Sequence, residues 1–247
     1  VSGTVKGIEK RLTAVGAMGD AIIIENDGLY ESVEYAPAKL SDLSKEDILK
    51  RIQEGGVVGQ GGAGFPTHVK LSPKEPDKID HILVNGAECE PYITSDYRRM
   101  MEEPESIVGG LEVILKAFPK AVGCICIEDN KPDCIARMKE AIKGKERMEV
   151  KELKTKYPQG GERQLIYATT GRAINSTMLP ADAGCVVDNV ETMINIYQAV
   201  VEGKPSIERI VTVSGDAINE PGNFRAPFGM NQMELVEQAG GFKEEPE

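Results

Sequence analysis

Two short apolar runs decide the fold: Ile79-Asp80-His81-Ile82-Leu83-Val84 and Val122-Gly123-Cys124-Ile125-Cys126-Ile127. Between them a single helical stripe recurs at three- and four-residue spacing, through Ile107, Leu111, Ile114, Leu115 and Phe118. Runs this short and this apolar predict strands buried on both faces, as in a helix-covered parallel sheet. The rhythm continues in both directions. Pro132-Asp133 opens a helix marked by Ile135, Met138 and Ile142, and 148–153 is the next strand. A short helix follows at 164–169. Val187, Val190, Ile194, Tyr197 and Val201 then predict one long helix that ends at Gly203-Lys204-Pro205. Upstream, Ser44 reads as an N-cap before Ile48, Leu49 and Ile52, and Gly55-Gly56 stops that helix. Alternation of this kind predicts an α/β fold with a mostly parallel sheet.

The flanks differ. Residues 1–36 read as all-β, with alternation from Val1 to Ile8, a second strand at 21–25 and the turn Asn26-Asp27-Gly28. Residues 206–247 read as a small separate module, with a strand at 207–213, Gly- and Pro-rich turns, a short helix near 234–238 and an acidic tail. The expected division is therefore 1–36, 37–205 and 206–247.

The chain has 247 residues, and its 29 basic against 40 acidic side chains give a net charge of −11. That charge argues against a phosphate-backbone partner, so nucleic-acid binding is not expected. No apolar run reaches the roughly 18 residues that a membrane span needs, and no secretory signal opens the chain. It begins with Val1, inside what reads as a strand, so it is taken as part of something longer. The five cysteines, at 89, 124, 126, 134 and 185, are odd in number and scattered, which suggests free thiols in a reducing compartment. None has iron–sulfur spacing, and no metal site is expected.

Four segments could carry chemistry. The sharpest is Gly59-Gln-Gly61-Gly62-Ala63-Gly64-Phe65-Pro66-Thr67-His68-Val-Lys70, with four glycines in six residues. It contains G-x-G-x-x-G, yet it follows a helix where the dinucleotide fingerprint follows a strand, so the ordinary Rossmann reading fails on context. Two readings stay open: a cradle of backbone amides for a phosphate, with a helix starting near Thr67 and Lys70 one turn in, or an exposed loop. Asn85-Gly-Ala87-Glu88-Cys89-Glu90 lies at the C-terminal end of a strand, where open α/β sheets bind ligands; it is either a polar ligand edge or a solvated acidic turn. Tyr157-Pro-Gln-Gly160-Gly161-Glu162 enters a helix, and Asp188-Asn189-Val-Glu191-Thr192 reads as the polar start of another.

In this order the segments resemble the glycine-rich FMN loop and its companions in the flavoprotein of respiratory complex I. They are more similar still to the C subunit of Rnf-type ferredoxin–NAD oxidoreductases. The resemblance covers essentially the whole chain. It implies a Rossmann-like FMN-binding domain, flanked by a barrel-sandwich (lipoyl-like) fragment at the N-terminus and an SLBB module at the C-terminus.

Carried over, it implies that Gly59, Gly61, Gly62, Ala63 and Gly64 wrap FMN, that Phe65 packs on a nucleotide ring and that Lys70 contacts the polar part. It implies that Asn85, Glu88 and Glu90 line the flavin and nicotinamide side, that Tyr157, Gly160 and Glu162 flank the ligand, and that Asp188, Asn189 and Thr192 hold the phosphate end. The implied role is an electron-transfer protein using FMN and NAD(H). Its 4Fe-4S clusters would lie outside this chain, its partners would be the other subunits of a membrane complex and ferredoxin or a cluster-bearing protein, and its place would be the inner face of the cell membrane. A proline reductase-associated electron-transfer protein and a non-redox scaffold are the alternatives. Ala87 and Gly161 stand where the complex I flavoprotein has acidic residues, and Asp188 would repel a phosphate unless it faces elsewhere.

Overall fold

The computed structural model describes residues 2–13, 16–33 and 35–244. Val1 and the acidic tail at 245–247 lie outside them. The N-terminal segment is an antiparallel hairpin of β1 (Gly3–Leu12) and β2 (Met18–Asn26), longer at both strands than the alternation predicts. Ser44 does cap α1 (Lys45–Glu54): its hydroxyl accepts from the Asp47 amide at 3.1 Å, and the Asp47 carboxylate accepts from the Ser44 amide at 2.9 Å. Gly56, at φ +67°, turns the chain out of the helix.

The central sheet is four-stranded and parallel, in the order β5-β4-β3-β6. Its strands are β3 (His81–Gly86), β4 (Val122–Glu128), β5 (Met148–Leu153) and β6 (Cys185–Asn189). Alternate residues serve two cores. Ile82, Val84, Ile125, Ile127 and Val186 face a layer that includes α3 (Ser95–Glu102), α4 (Pro104–Ala117), α5 (Pro132–Ala141) and α7 (Val190–Tyr197). Leu83, Cys124, Cys126, Cys185 and Val187 face α6 (Glu162–Thr170) through Leu165 and Ile166. Burial on both faces explains why these strands read as continuous apolar runs. It also makes their thiols inert: desolvation pushes Cys126 up to about 12 and Cys185 up to about 11.

One expectation is corrected here. The predicted helix from Val187 contains a strand: residues 185–189 pair in parallel with β3, and the helix begins only at Val190. Val187 and Val190 share a helical spacing by accident, because the chain passes from strand to helix with no turn between. The helix α3, and the strand β8 (Gly222–Pro227) that pairs antiparallel with β7 (Glu208–Val213), were not expected either. The helix α8 (Gln232–Gln238) follows β8.

Helices α4 and α7 pack with almost no gap. A β-carbon on Gly110 would lie 2.0 Å from the Met193 carbonyl oxygen, so only glycine fits. Arg99 of α3 is buried beside this contact. Its Nε donates to Glu191 of α7 at 2.7 Å, and its Nη1 donates to Glu103.

Candidate functional site

The strand order places the topological switch point between β3 and β6, since β4 and β5 lie to one side of β3 and the last strand to the other. Ligands of open α/β sheets bind in the crevice beyond the C-terminal ends at such a point. Here those ends are Asn85-Gly86 and Asp188-Asn189, with Asn85 directly paired with Asn189.

The glycine loop closes over this crevice. Val58 and Pro66 form an antiparallel bridge, and the Gly59 amide donates to the Phe65 carbonyl at 2.9 Å, pinching the loop at its base. Its tip rests on the start of α7. The Gln60 amide donates to Thr192 Oγ1 at 3.0 Å, and a β-carbon on Gly61 would stand 3.6 Å from the Asn189 β-carbon. Gly62 and Gly64 take φ of +120° and +61°, which L-residues rarely adopt. Among the described residues, the amides of Gly61, Gly62 and Ala63 donate to no acceptor in the chain. A β-carbon on Gly62 or Gly64 would find nothing within 4 Å, so these glycines bound open space. Consecutive free amides beside a helix N-terminus are the donor set a phosphate requires. Phe65, half exposed, stands at the rim.

Lys70 closes a one-turn helix, α2 (Thr67–Lys70), and reaches across to β6. Its Nζ donates to the Val187 carbonyl at 2.7 Å and to Asp188 Oδ1 at 2.9 Å. Asp188 therefore faces a cation, Lys70, and is itself buried. Its other oxygen, Oδ2, is buried with no partner among the described residues. Desolvation raises the Asp188 pKa and Lys70 opposes that rise. Lys70→Ala should thus cost about 2 kcal/mol of stability at pH 8, below the about 3–5 kcal/mol for a fully buried pair because the lysine is partly exposed. The loss should shrink at pH 5, where Asp188 can take up a proton in compensation. Urea denaturation at the two pH values measures it; an equal cost at both would exclude the ion pair as its origin.

Asn85 Nδ2 donates to the Gly160 carbonyl at 2.8 Å, and the Gly160 amide donates to Cys89 Sγ at 3.2 Å. Those two bonds clamp the loop at 157–161 against the end of β3. A β-carbon on Gly160 would already lie 3.2 Å from that sulfur. Tyr157 projects into solvent from the same loop, and Glu162 opens α6. Burial raises the Glu162 pKa, the charge of Lys70 lowers it and that of Asp188 adds to the rise.

The acidic turn is not simply a ligand edge. Glu88 adopts φ +47°, and its carboxylate accepts the Asp96 and Tyr97 amides at 2.7 and 3.1 Å, capping α3 from outside. Desolvation, reinforced by the charge of Asp96, pushes Glu88 up to about 7. Lys131 Nζ donates to the Ala87 carbonyl at 2.9 Å and braces the turn. Glu90 remains exposed in a cleft of about 470 Å³ that Tyr92, Asn130, Lys131 and Tyr157 also line. On the phosphate side, Asn189 caps α7 with Oδ1 on the Glu191 amide at 2.8 Å and donates Nδ2 to Asp96 at 2.6 Å. The side chains of Asp188, Asn189 and Thr192 thus shape the cradle from behind, while the loop amides face it. Asp96 and Arg99 escaped sequence reasoning. The signal for their helix was Thr94-Ser95 ahead of Tyr97, Met100 and Met101.

A parallel sheet with a glycine loop and a helix N-terminus at its switch point defines a nucleotide-phosphate-binding α/β domain. Residues 52–198 match the family model of the Nuo51 FMN-binding domain, and the chain belongs to that family; residues 210–247 match the SLBB domain model. The C subunit of the proton-translocating ferredoxin:NAD(+) oxidoreductase complex of Clostridium ljungdahlii is 47% identical over 92% of this chain and 50% of that protein. The Na(+)-translocating counterpart of Acetobacterium woodii is 42% identical over 100% of this chain and 56% of its own length. The C subunit of the ion-translocating oxidoreductase complex of Pseudomonas aeruginosa is 40% identical over 92% of this chain and 29% of that protein. The chain thus spans about half the length, or less, of these curated relatives. Among solved structures, a chain of the NAD+-reducing NiFe-hydrogenase in its H2-reduced state superposes with a TM-score of 0.65 at 24% identity, over 79% of this chain and 39% of that one. That likeness concerns the fold. Among the described residues no helix is long and apolar enough to cross a membrane.

Proposed function

We propose that this chain is the FMN-carrying part of an Rnf-type electron-transfer protein, which takes electrons from NADH and passes them to iron–sulfur clusters outside residues 1–247. The observation that carries this reading is the row of free amides at Gly61, Gly62 and Ala63, held against the N-terminus of α7 at the switch point of the sheet. The fit to FMN is good on two further counts: the glycines bound open space, and the partly exposed Lys70 balances the charge of the buried Asp188 behind the loop. The loop amides would take the phosphate. Asn85, Glu88, Gly160 and Glu162 would line the body of the cofactor, and Tyr157 and Glu90 its outer edge. Ala87 and Gly161 carry no carboxylate, so contacts to NAD(H) rest on Glu88, Glu90 and Glu162. Bound FMN supplies the exchange between a two-electron donor and one-electron acceptors. The protein orients it, shields one side with the clamped 157–161 loop and leaves the cleft beside Glu90 open for a second ligand.

The names of the relatives support the same role, with other subunits of a membrane complex and ferredoxin or a cluster-bearing protein as partners. Its place would be the inner face of the cell membrane. Anaerobic titration tests the reading. FMN should bind, NADH should bleach the bound flavin, and added ferredoxin should stay oxidised. Failure to bind FMN would favour a scaffold role. Brisk NADH–ferredoxin turnover by residues 1–247 alone would overturn the division of labour.

A further inference from the structure

Asp96 touches both walls of the crevice, one through its side chain and the other through its backbone amide. Its carboxylate accepts Asn189 Nδ2 at 2.6 Å, and its backbone amide donates to Glu88 Oε1 at 2.7 Å. The first bond fixes the Asn189 amide so that Oδ1 faces the Glu191 amide and caps α7. The second anchors the acidic turn. Asn189 in turn abuts Gly61 of the amide cradle. The residue just before this helix, Thr94, is held by the C-terminal module: its amide donates to Thr212 Oγ1 at 3.2 Å, and Asn223 Nδ2 donates to Thr94 Oγ1 at 3.0 Å.

We propose that Asp96 is a positioning residue for flavin binding: it locks Glu88 and Asn189 into one frame, and ionisation of its carboxyl weakens the hold on a phosphate in the adjacent cradle. This rests on the FMN reading above. The surroundings give the sign. Glu88 and Glu90 face Asp96 from the turn after β3, and Glu191 faces it from α7. The charge of Arg209 of β7 opposes the rise at Asp96, Lys131 acts on Glu88, and Arg99 is committed to Glu191 and Glu103. Desolvation first, then the charges of Glu191 and Glu90, push Asp96 up to about 6 despite the Asn189 hydrogen bond. Below that pH the carboxyl is neutral and the cradle faces less negative charge; above it, a second anion stands behind Asn189.

The test is FMN affinity, measured by flavin fluorescence between pH 5.5 and 8 for wild type, Asp96→Asn and Asp96→Ala. The phosphate of FMN titrates in the same range equally for all three. Glu88, pushed up to about 7 partly by the charge of Asp96, titrates there as well, so the difference between variants reads the Asp96 carboxyl together with its effect on Glu88. Wild type should weaken about five- to tenfold more than Asp96→Asn across this range, because the asparagine keeps a hydrogen-bond acceptor for Asn189 and loses the charge. Asp96→Ala should bind about tenfold more weakly than Asp96→Asn at every pH. If Asp96→Ala fails to fold, the comparison of wild type with Asp96→Asn still decides, since the amide preserves the shape. Parallel pH profiles for wild type and Asp96→Asn would overturn the proposal and leave the FMN reading intact. No FMN binding by wild type would overturn both.

Discussion

Arg99→Met is expected to destabilise the folded chain by about 3–5 kcal/mol, the range for removing one partner of a buried ion pair. Arg99 is 4% exposed and Glu191 is 5% exposed, so water cannot take over from the arginine. Burial already raises the Glu191 pKa, and the Arg99 charge is the chief influence holding it down. With methionine in place, Glu191 must either stay charged without its partner or take up a proton at neutral pH. Either course costs free energy, and both weaken the junction of α3 with α7. The double variant Arg99→Met/Glu191→Leu should recover most of the loss, because an apolar pair of similar volume suits that site. Urea denaturation of the three proteins at pH 7.5 is the measurement. A loss below about 1 kcal/mol for the single variant would place this pair among surface ion pairs.

Gly62→Val should have the largest effect on ligand binding: about 3 kcal/mol, on the order of a hundredfold in FMN affinity. Gly62 sits at φ +120°, where a β-branched residue is strained, and it is exposed with nothing within 4 Å of its would-be side chain. The loop can therefore relax towards negative φ without disturbing the core, and the relaxation turns its free amides away from the phosphate position. Stability should fall by no more than about 1 kcal/mol, since the strain is released into solvent. Gly62→Ala should lie between wild type and valine. Fluorescence titration with FMN, beside thermal melts of the same samples, separates the two quantities. A variant that unfolds while its folded fraction binds FMN normally would make Gly62 a structural residue.

The legible parts of this fold are those in which one local signal acts alone. The strand at 148–153 could be placed to the residue, because turns bound it on both sides. The glycine loop was distinguishable from a dinucleotide fingerprint by the helix before it, and that helix is α1. Strand β6 was not legible: five residues, Cys185–Asn189, run straight into an apolar helix, and only pairing with β3 separates the two. Strand β8 hid among Gly222 and Pro227, residues that signal turns. In the site, residue types were readable but their engagements were not. Nothing in Glu88 tells that its carboxylate caps a helix eight residues away, or in Lys70 that its partner is Asp188, 118 residues downstream. Such pairings depend on the topology of the sheet, which only tertiary structure supplies.

The N-terminal hairpin has a consequence for every melting curve of this chain. Among the described residues strands β1 and β2 pair only with each other, and Val5, Ile8, Leu12, Met18 and Ile22 remain more than 60% exposed. A lone two-stranded hairpin is marginal in water. It therefore opens and closes on its own account, and its amides lose hydrogen-exchange protection well before those of β3 or β4. A circular-dichroism trace sums both populations and is not a two-state signal, whereas a probe on α4 or α7 follows a single cooperative unit.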